Sequence, residues 1–171
     1  MLEPRKSRFW RELAPGDDVQ AAADGCPDGG CLLLRPGTHT MLVGLLITKP
    51  LHLFGRGLAT LEGAPQDGVI PRTAVLVTKS ATRATLDGLH VTAIVIPGDF
   101  DDDSHSACVT IKADQARLQA CKIGPAITGV IVRCPGHDDD GRIEPTIINC
   151  RWVRGGLNRA FDQSQRKRHY L

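Results

Sequence analysis

Short runs of aliphatic and β-branched residues recur along the chain, each broken by a polar corner rich in Gly, Pro, Asp or Lys. Four segments share one pattern: a β-branched strand, a polar corner, then a second strand with an apolar-x-small centre. They begin at Leu45 (LLITKPLHLFGRG), Val75 (VLVTKSATRATLDGLHV), Val109 (VTIKADQARLQACKIG) and Val130 (VIVRCPGHDDDGRIEPTIINCRWV). Aligned on the second strand, Leu53, Leu86, Leu118 and Ile147 form one column, spaced 33, 32 and 29 residues apart. Gly55, Gly88, Ala120 and Asn149 form another two residues along, Cys121 falls over Cys150, and Ile123 falls over Trp152.

Such columns are what a stack of strands requires. One turn of chain cannot bury its inward side chains alone, whereas turns stacked ~4.8 Å apart bring like residues together. Inward apolar and outward polar residues are expected to alternate, as in Thr85-Leu86-Asp87. Trp152 falls in a column assigned inward. A doubly wound α/β sheet would need a helix of ten or more residues between strands. No amphipathic run of that length lies between residues 30 and 155. The pattern therefore predicts an all-β solenoid.

The N-terminal third adds a more specific signal. From Asp18 the chain reads DVQAAADGCPDGGCLLLRPGTHTMLVGLLITKPLHLFGRGLATLEG. This resembles the opening of pectin-lyase-like proteins, which begin with a short capping helix, here Val19 to Asp24, and a first strand running into a Pro-Gly turn. The resemblance spans roughly residues 17–155 and implies a right-handed parallel β-helix. The stretch PTIINCRW is similar to β-helix repeats of some F-box-type adaptor proteins, which implies a recognition surface. On this reading residues 1–16 are an N-terminal extension, 17–155 the β-helix domain, and 156–171 a basic tail or cap.

Composition supports many short strands joined by tight corners. There are 18 Gly and 11 Pro against seven aromatics, namely four Phe, two Trp and one Tyr. The formal net charge of +2 is uneven: residues 1–12 carry +2, residues 151–171 carry +5, and the body between them −5. A mildly acidic body lacks the basic face that nucleic acid requires, so no nucleic-acid partner is expected. The first dozen residues, MLEPRKSRFWRE, hold no apolar segment of signal-peptide type, and no apolar run approaches the ~18 residues of a membrane span. An intracellular protein, cytoplasmic or nuclear, without membrane attachment is the expectation. Arg166-Lys167-Arg168 resembles a minimal nuclear-import patch. The six cysteines (Cys26, Cys31, Cys108, Cys121, Cys134, Cys150) read as small buried hydrophobes, with a Cys26–Cys31 loop as the alternative. No CxxC pair suggests zinc.

Candidate chemistry is sparse. Two acidic loops, 97–106 and 135–144, present Asp99, Asp101 and Asp103, and Asp138 and Asp140, which could hold Ca²⁺ through carboxylate oxygens. The spacing of the first fits a calcium loop, but its sixth and twelfth places are Ser104 and Thr110 rather than Gly and Glu. The pectin-lyase-like resemblance implies polyuronide chemistry, yet neither the lyases' arginine nor their ligand residues can be placed on this chain. Gly136-His137-Asp138 and Gly141-Arg142-Ile143-Glu144 echo hydrolase motifs, but crowded into one loop instead of spread over stacked turns. His39, His52, His90, His105, His137 and His169 read as surface or corner residues. Lys49, Lys79, Lys112 and Arg133 suggest a cationic stripe, one residue per turn, that could meet an extended anion. Arg5, Lys6, Phe9 and Trp10 precede the cap and could fold over the end of the stack or dock a partner. The expectation is a non-enzymatic scaffold that binds a protein partner or itself. The alternative is a carbohydrate-active enzyme or glycan-binding protein, with Ca²⁺ as its cofactor.

Overall fold

The computed structural model describes residues 10–63, 73–93, 107–124, 128–132, 143–153 and 159–162. Among these the chain is mostly β. The first pass comprises β1 (Trp10–Leu13), α1 (Val19–Gly25), β2 (Gly30–Leu34), β3 (Gly37–Met41) and β4 (Leu45–Ile47). Then follow β5 (Leu51–Gly63), β6 (Thr73–Val77), β7 (Thr85–Ala93), β8 (Ala107–Ile111), β9 (Arg117–Gln119), β10 (Lys122–Ile123) and β11 (Thr128–Val132). The last are β12 (Thr146–Ile148), β13 (Arg151–Trp152) and β14 (Arg159–Asp162). Strands β1 and β14 thus fall before residue 17 and after residue 155, and both take part in the sheets. No described helix is long and apolar enough to cross a membrane.

The pairings between these strands are parallel, in two sheets of nine and five strands, neither of which closes. The larger sheet branches because β5 and β7 are long. The first half of β5 pairs with β2 and its second half with β3, while β7 meets β9 with its first half and β10 with its second. The smaller sheet runs β14-β11-β8-β6-β4. Leu53 faces Leu86, Leu86 faces Leu118, and Leu118 faces Ile147, so the column read from the sequence is the register of the strands. Ile123 likewise faces Trp152.

Side-chain alternation along β7 follows the expected rule, with Leu86 buried and Thr85 and Asp87 partly exposed. The smaller sheet departs from it. Every residue of Thr73–Val77 and of Ala107–Ile111 is buried, so these strands are covered on both faces. The run VLV in β6, and VTI in β8 with its Thr110 also buried, carry no charged residue, as suits strands without a wet side. His39 also departs from its expected surface place. It faces Leu61 in register and is buried, with Nε2 3.0 Å from the Arg35 carbonyl oxygen and Nδ1 without a partner among the described residues.

The corner after the first half of each long strand carries left-handed backbone. Gly88, Ala120 and Asn149 have φ of 61°, 51° and 53°. In β5 the same corner holds three extra residues: Phe54 pairs with Asp87, but the next partners are Ala59 and Leu89. Left-handed φ there falls on Arg56 and Gly57. Gly88 is needed for space as well, since a Cβ there would stand 3.0 Å from the Gly57 nitrogen.

The two ends of the stack differ. Helix α1, opened by Asp18 accepting a 2.8 Å bond from the Ala21 amide, buries Val19, Ala22 and Ala23. Its Gln20 side chain accepts from the Leu46 amide at 2.8 Å and donates to the Leu46 carbonyl at 3.0 Å. One amide side chain thereby replaces a neighbouring strand on the open edge of β4. At the other end Trp152 leans inward, its ring lying where a Cβ on Gly129 would reach, yet it stays 42% exposed, and Ile147 is 41% exposed. Trp152 is inward in direction but covered on one side only, because no described strand follows β13 in its run.

Candidate interaction surface

The outward face of the larger sheet carries two adjacent columns, flanking the buried leucines. One runs Trp10, Cys31, His52, Thr85, Arg117 and Thr146 from β1 to β12. The other runs Glu12, Leu33, Phe54, Asp87, Gln119 and Ile148. The cause is local. In Leu51-His52-Leu53-Phe54 the leucines take the inward places, and period-two alternation sends His52 and Phe54 outward.

Three rings gather at one end of this face. Trp10 and Phe54 stack with centroids 6.2 Å apart and planes 25° from parallel, and His52 and Phe54 with centroids 6.1 Å apart at 12°. Trp10 and Phe54 lie two strands apart, a backbone separation of ~9.6 Å, so the rings lean together across β2. That lean accounts for Cys31 and Leu33, which point outward yet are buried. Trp10 remains 49% exposed.

Polar groups continue the face beyond the rings. Asp87 faces Phe54 in register, and Arg117 faces Thr85. Burial raises the Asp87 carboxyl, and the Arg117 guanidinium partly offsets the rise. Burial lowers His52, which favours the neutral ring and its aromatic character. Flat apolar rings next to a carboxylate and a guanidinium suit recognition: the rings supply contact area and the charges supply orientation. Arg35 and Glu12 close the N-terminal border with a 2.9 Å ion pair.

The sites expected from the sequence are placed as follows. Asp99, Asp101, Asp103, Asp138, Asp140 and Arg133, and His105, His137 and His169, lie outside the described residues. Among those described, no three His, Cys, Asp or Glu side chains gather as a metal site would require. The cationic stripe divides. Val77 pairs with both Ile47 and Ile111, which sets Lys112 level with Thr78 and Thr48, one position short of Lys79 and Lys49. Lys49 also turns its ammonium to the Asp24 carbonyl at the end of α1. The basic side chains that do stand in register are His90, Lys122 and Arg151, on successive strands. His90 is held there, Nε2 2.7 Å from the Gly124 carbonyl and Nδ1 3.5 Å from the Thr60 hydroxyl.

The ring cluster was missed in the sequence because Trp10 was assigned to an extension rather than a strand. His52 and Phe54 were open to detection from the alternation around Leu51 and Leu53. Compared with family models, with curated proteins and with solved structures, the chain matches none.

Proposed function

We propose that the chain is a right-handed parallel β-helix of the pectin-lyase-like kind that works as a non-enzymatic interaction module. Its rigid outward sheet face serves as the docking surface for a protein partner. The observation that carries this reading is the half-exposed stack of Trp10, Phe54 and His52 beside Asp87 and Arg117. Aromatic anchors ringed by polar groups resemble the energetic centres of protein interfaces. Support for the helical path comes from the parallel register, which advances by about one turn of chain from each long strand to the next.

A second reading, glycan recognition or polyuronide processing with Ca²⁺, draws on the same rings, since sugars also lie on aromatic faces. One experiment separates the two. Binders selected from a displayed protein library, and hits on a glycan array, are each re-measured against Phe54→Ala and Trp10→Ala. The module reading expects a protein binder whose Kd weakens at least tenfold in both variants while their melting stays near that of the parent. Glycan hits with the same dependence would replace it by the second reading. Binding indifferent to both substitutions would remove this face from either account.

A further inference from the structure

The register that aligns the strands also superposes two thiols. Gln119 faces Ile148 and Lys122 faces Arg151, so Cys121 and Cys150 occupy equivalent places between them. Backbone bonds bracket the pair, Ala120 N–H to the Ile148 carbonyl at 2.9 Å and Arg151 N–H to the Cys121 carbonyl at 2.8 Å. The thiols even share a bonding pattern. Cys121 donates to the carbonyls of Gln119 and Leu86, and Cys150 to those of Ile148 and Leu118. Each thus bonds two residues back along its own chain and one strand down the stack. The two thiols lie close enough for each to influence the other's ionisation. Neighbouring strands ~4.8 Å apart fall within the ~4.4–6.8 Å Cα separation that a disulfide accepts.

We infer that Cys121 and Cys150 are a peroxide-oxidisable dithiol whose disulfide staples the last strands of the larger sheet, β12 and β13, to β9 and β10. Cys150 is the entry point, being partly exposed where Cys121 is 1% exposed. A hydroperoxide first converts the Cys150 thiol to a sulfenic acid: one oxygen passes to sulfur, the peroxide O–O bond breaks, and water (or an alcohol) leaves. The Cys121 sulfur then attacks the sulfenic sulfur. An S–S bond forms, the S–OH bond breaks, and the Cys121 proton leaves with hydroxide as water. Both sulfurs are oxidised by one electron and one peroxide is consumed. Burial raises both thiols, Cys121 to about 12, which keeps the thiolate fraction small and makes peroxide oxidation slow at neutral pH and faster as pH rises. Their adjacent places on paired strands make the second step intramolecular. The end it would lock is the one that leaves Ile147 and Trp152 half exposed.

The test treats the folded full chain with hydrogen peroxide, blocks residual thiols, digests with trypsin without reduction and reads the peptides by mass spectrometry. The expected product joins Leu118–Lys122 to Ile143–Arg151 with the loss of two hydrogens. Cys150→Ser should abolish it and leave Cys121 reduced. In Cys121→Ala, Cys150 should go on to sulfinic acid, having no thiol to resolve it; circular dichroism verifies that both variants fold. Sulfinic acid at Cys150 in the parent protein with Cys121 untouched would overturn the inference. So would a first-formed disulfide between any other two cysteines.

Discussion

At the scale of single residues, alternation along a strand becomes a difference in free energy. Leu118 is buried in the column between Leu86 and Ile147, whereas Lys122, four residues on, is exposed. Leu118→Ala is expected to cost about 2–5 kcal/mol by urea unfolding, through lost burial and a residual cavity. Lys122→Ala should stay within about 0.5 kcal/mol. Equal costs would mean that the inward and outward assignments are wrong. The ring face gives a second residue-scale prediction through pH. His52 is lowered by burial, so its contribution to stability is full above its unfolded value of 6.5 and lost as pH falls through the lower folded value. Asp87 is raised, so its contribution is full below its unfolded value of 3.8 and lost as pH rises through the higher folded value. Melting midpoints from pH 3 to pH 8 should therefore show Asp87→Asn above the parent at neutral pH and level with it at pH 3. His52→Gln should melt with a shallower loss on acidification below 6.5. A parent-like pH profile for both variants would show that neither group is desolvated on this face.

At the scale of elements, the corners and the strands between them were not equally open to sequence reading. The column Leu53, Leu86, Leu118, Ile147 was legible because each residue sits at the centre of a strand whose neighbours alternate in polarity. Helix α1 was legible from Asp18 before a run of alanines, and its end lies one residue from the expected Asp24. The cationic stripe was read one position out because Val75-Leu76-Val77-Thr78-Lys79 is a residue longer than Val109-Thr110-Ile111-Lys112, and sequence alone does not say where a parallel pair slips. The second buried face of β6 and β8 was marked by runs without charged residues, and only the structure separates such runs from half-wet strands. The corner column Gly88, Ala120, Asn149 yields a prediction of its own. A left-handed φ suits Asn better than Ala, because the short Asn side chain can hydrogen-bond locally and offset the Cβ–carbonyl contact that both residues share. Ala120 is exposed, so Ala120→Asn should raise stability by about 0.5–1 kcal/mol in denaturant unfolding. A loss of stability would indicate that the corner is held by something other than backbone preference. At the opposite end of the scale of strain, nothing lies within 4 Å of a Cβ built on Gly25, in the last turn of α1. Gly25→Ala should therefore stabilise by about 0.4–1 kcal/mol, chiefly by restricting the unfolded chain, as thermal melting would show.

At the scale of the molecule, parallel strands stacked in register give sheets with unlike ends and unlike faces. One end is closed by α1 and by the Gln20 amide on β4, while the other leaves Ile147 and Trp152 half covered. One outward face holds the ring cluster, and strands β6 and β8 of the smaller sheet are buried on both sides. These asymmetries are consequences of the register, and so is the superposition of Cys121 on Cys150. The register is accordingly the claim on which the rest depends. It is tested most directly by methyl and aromatic NOEs in a protein labelled at Leu, Ile, Val and Phe. The structure predicts an unbroken methyl path from Leu53 to Leu86 to Leu118 to Ile147, a second from Leu61 to Val91 to Ile123, and Phe54 ring contacts confined to the outward face near Trp10 and His52. A path that skips a member, or a Phe54 ring seen against the Leu86 methyls, would contradict it.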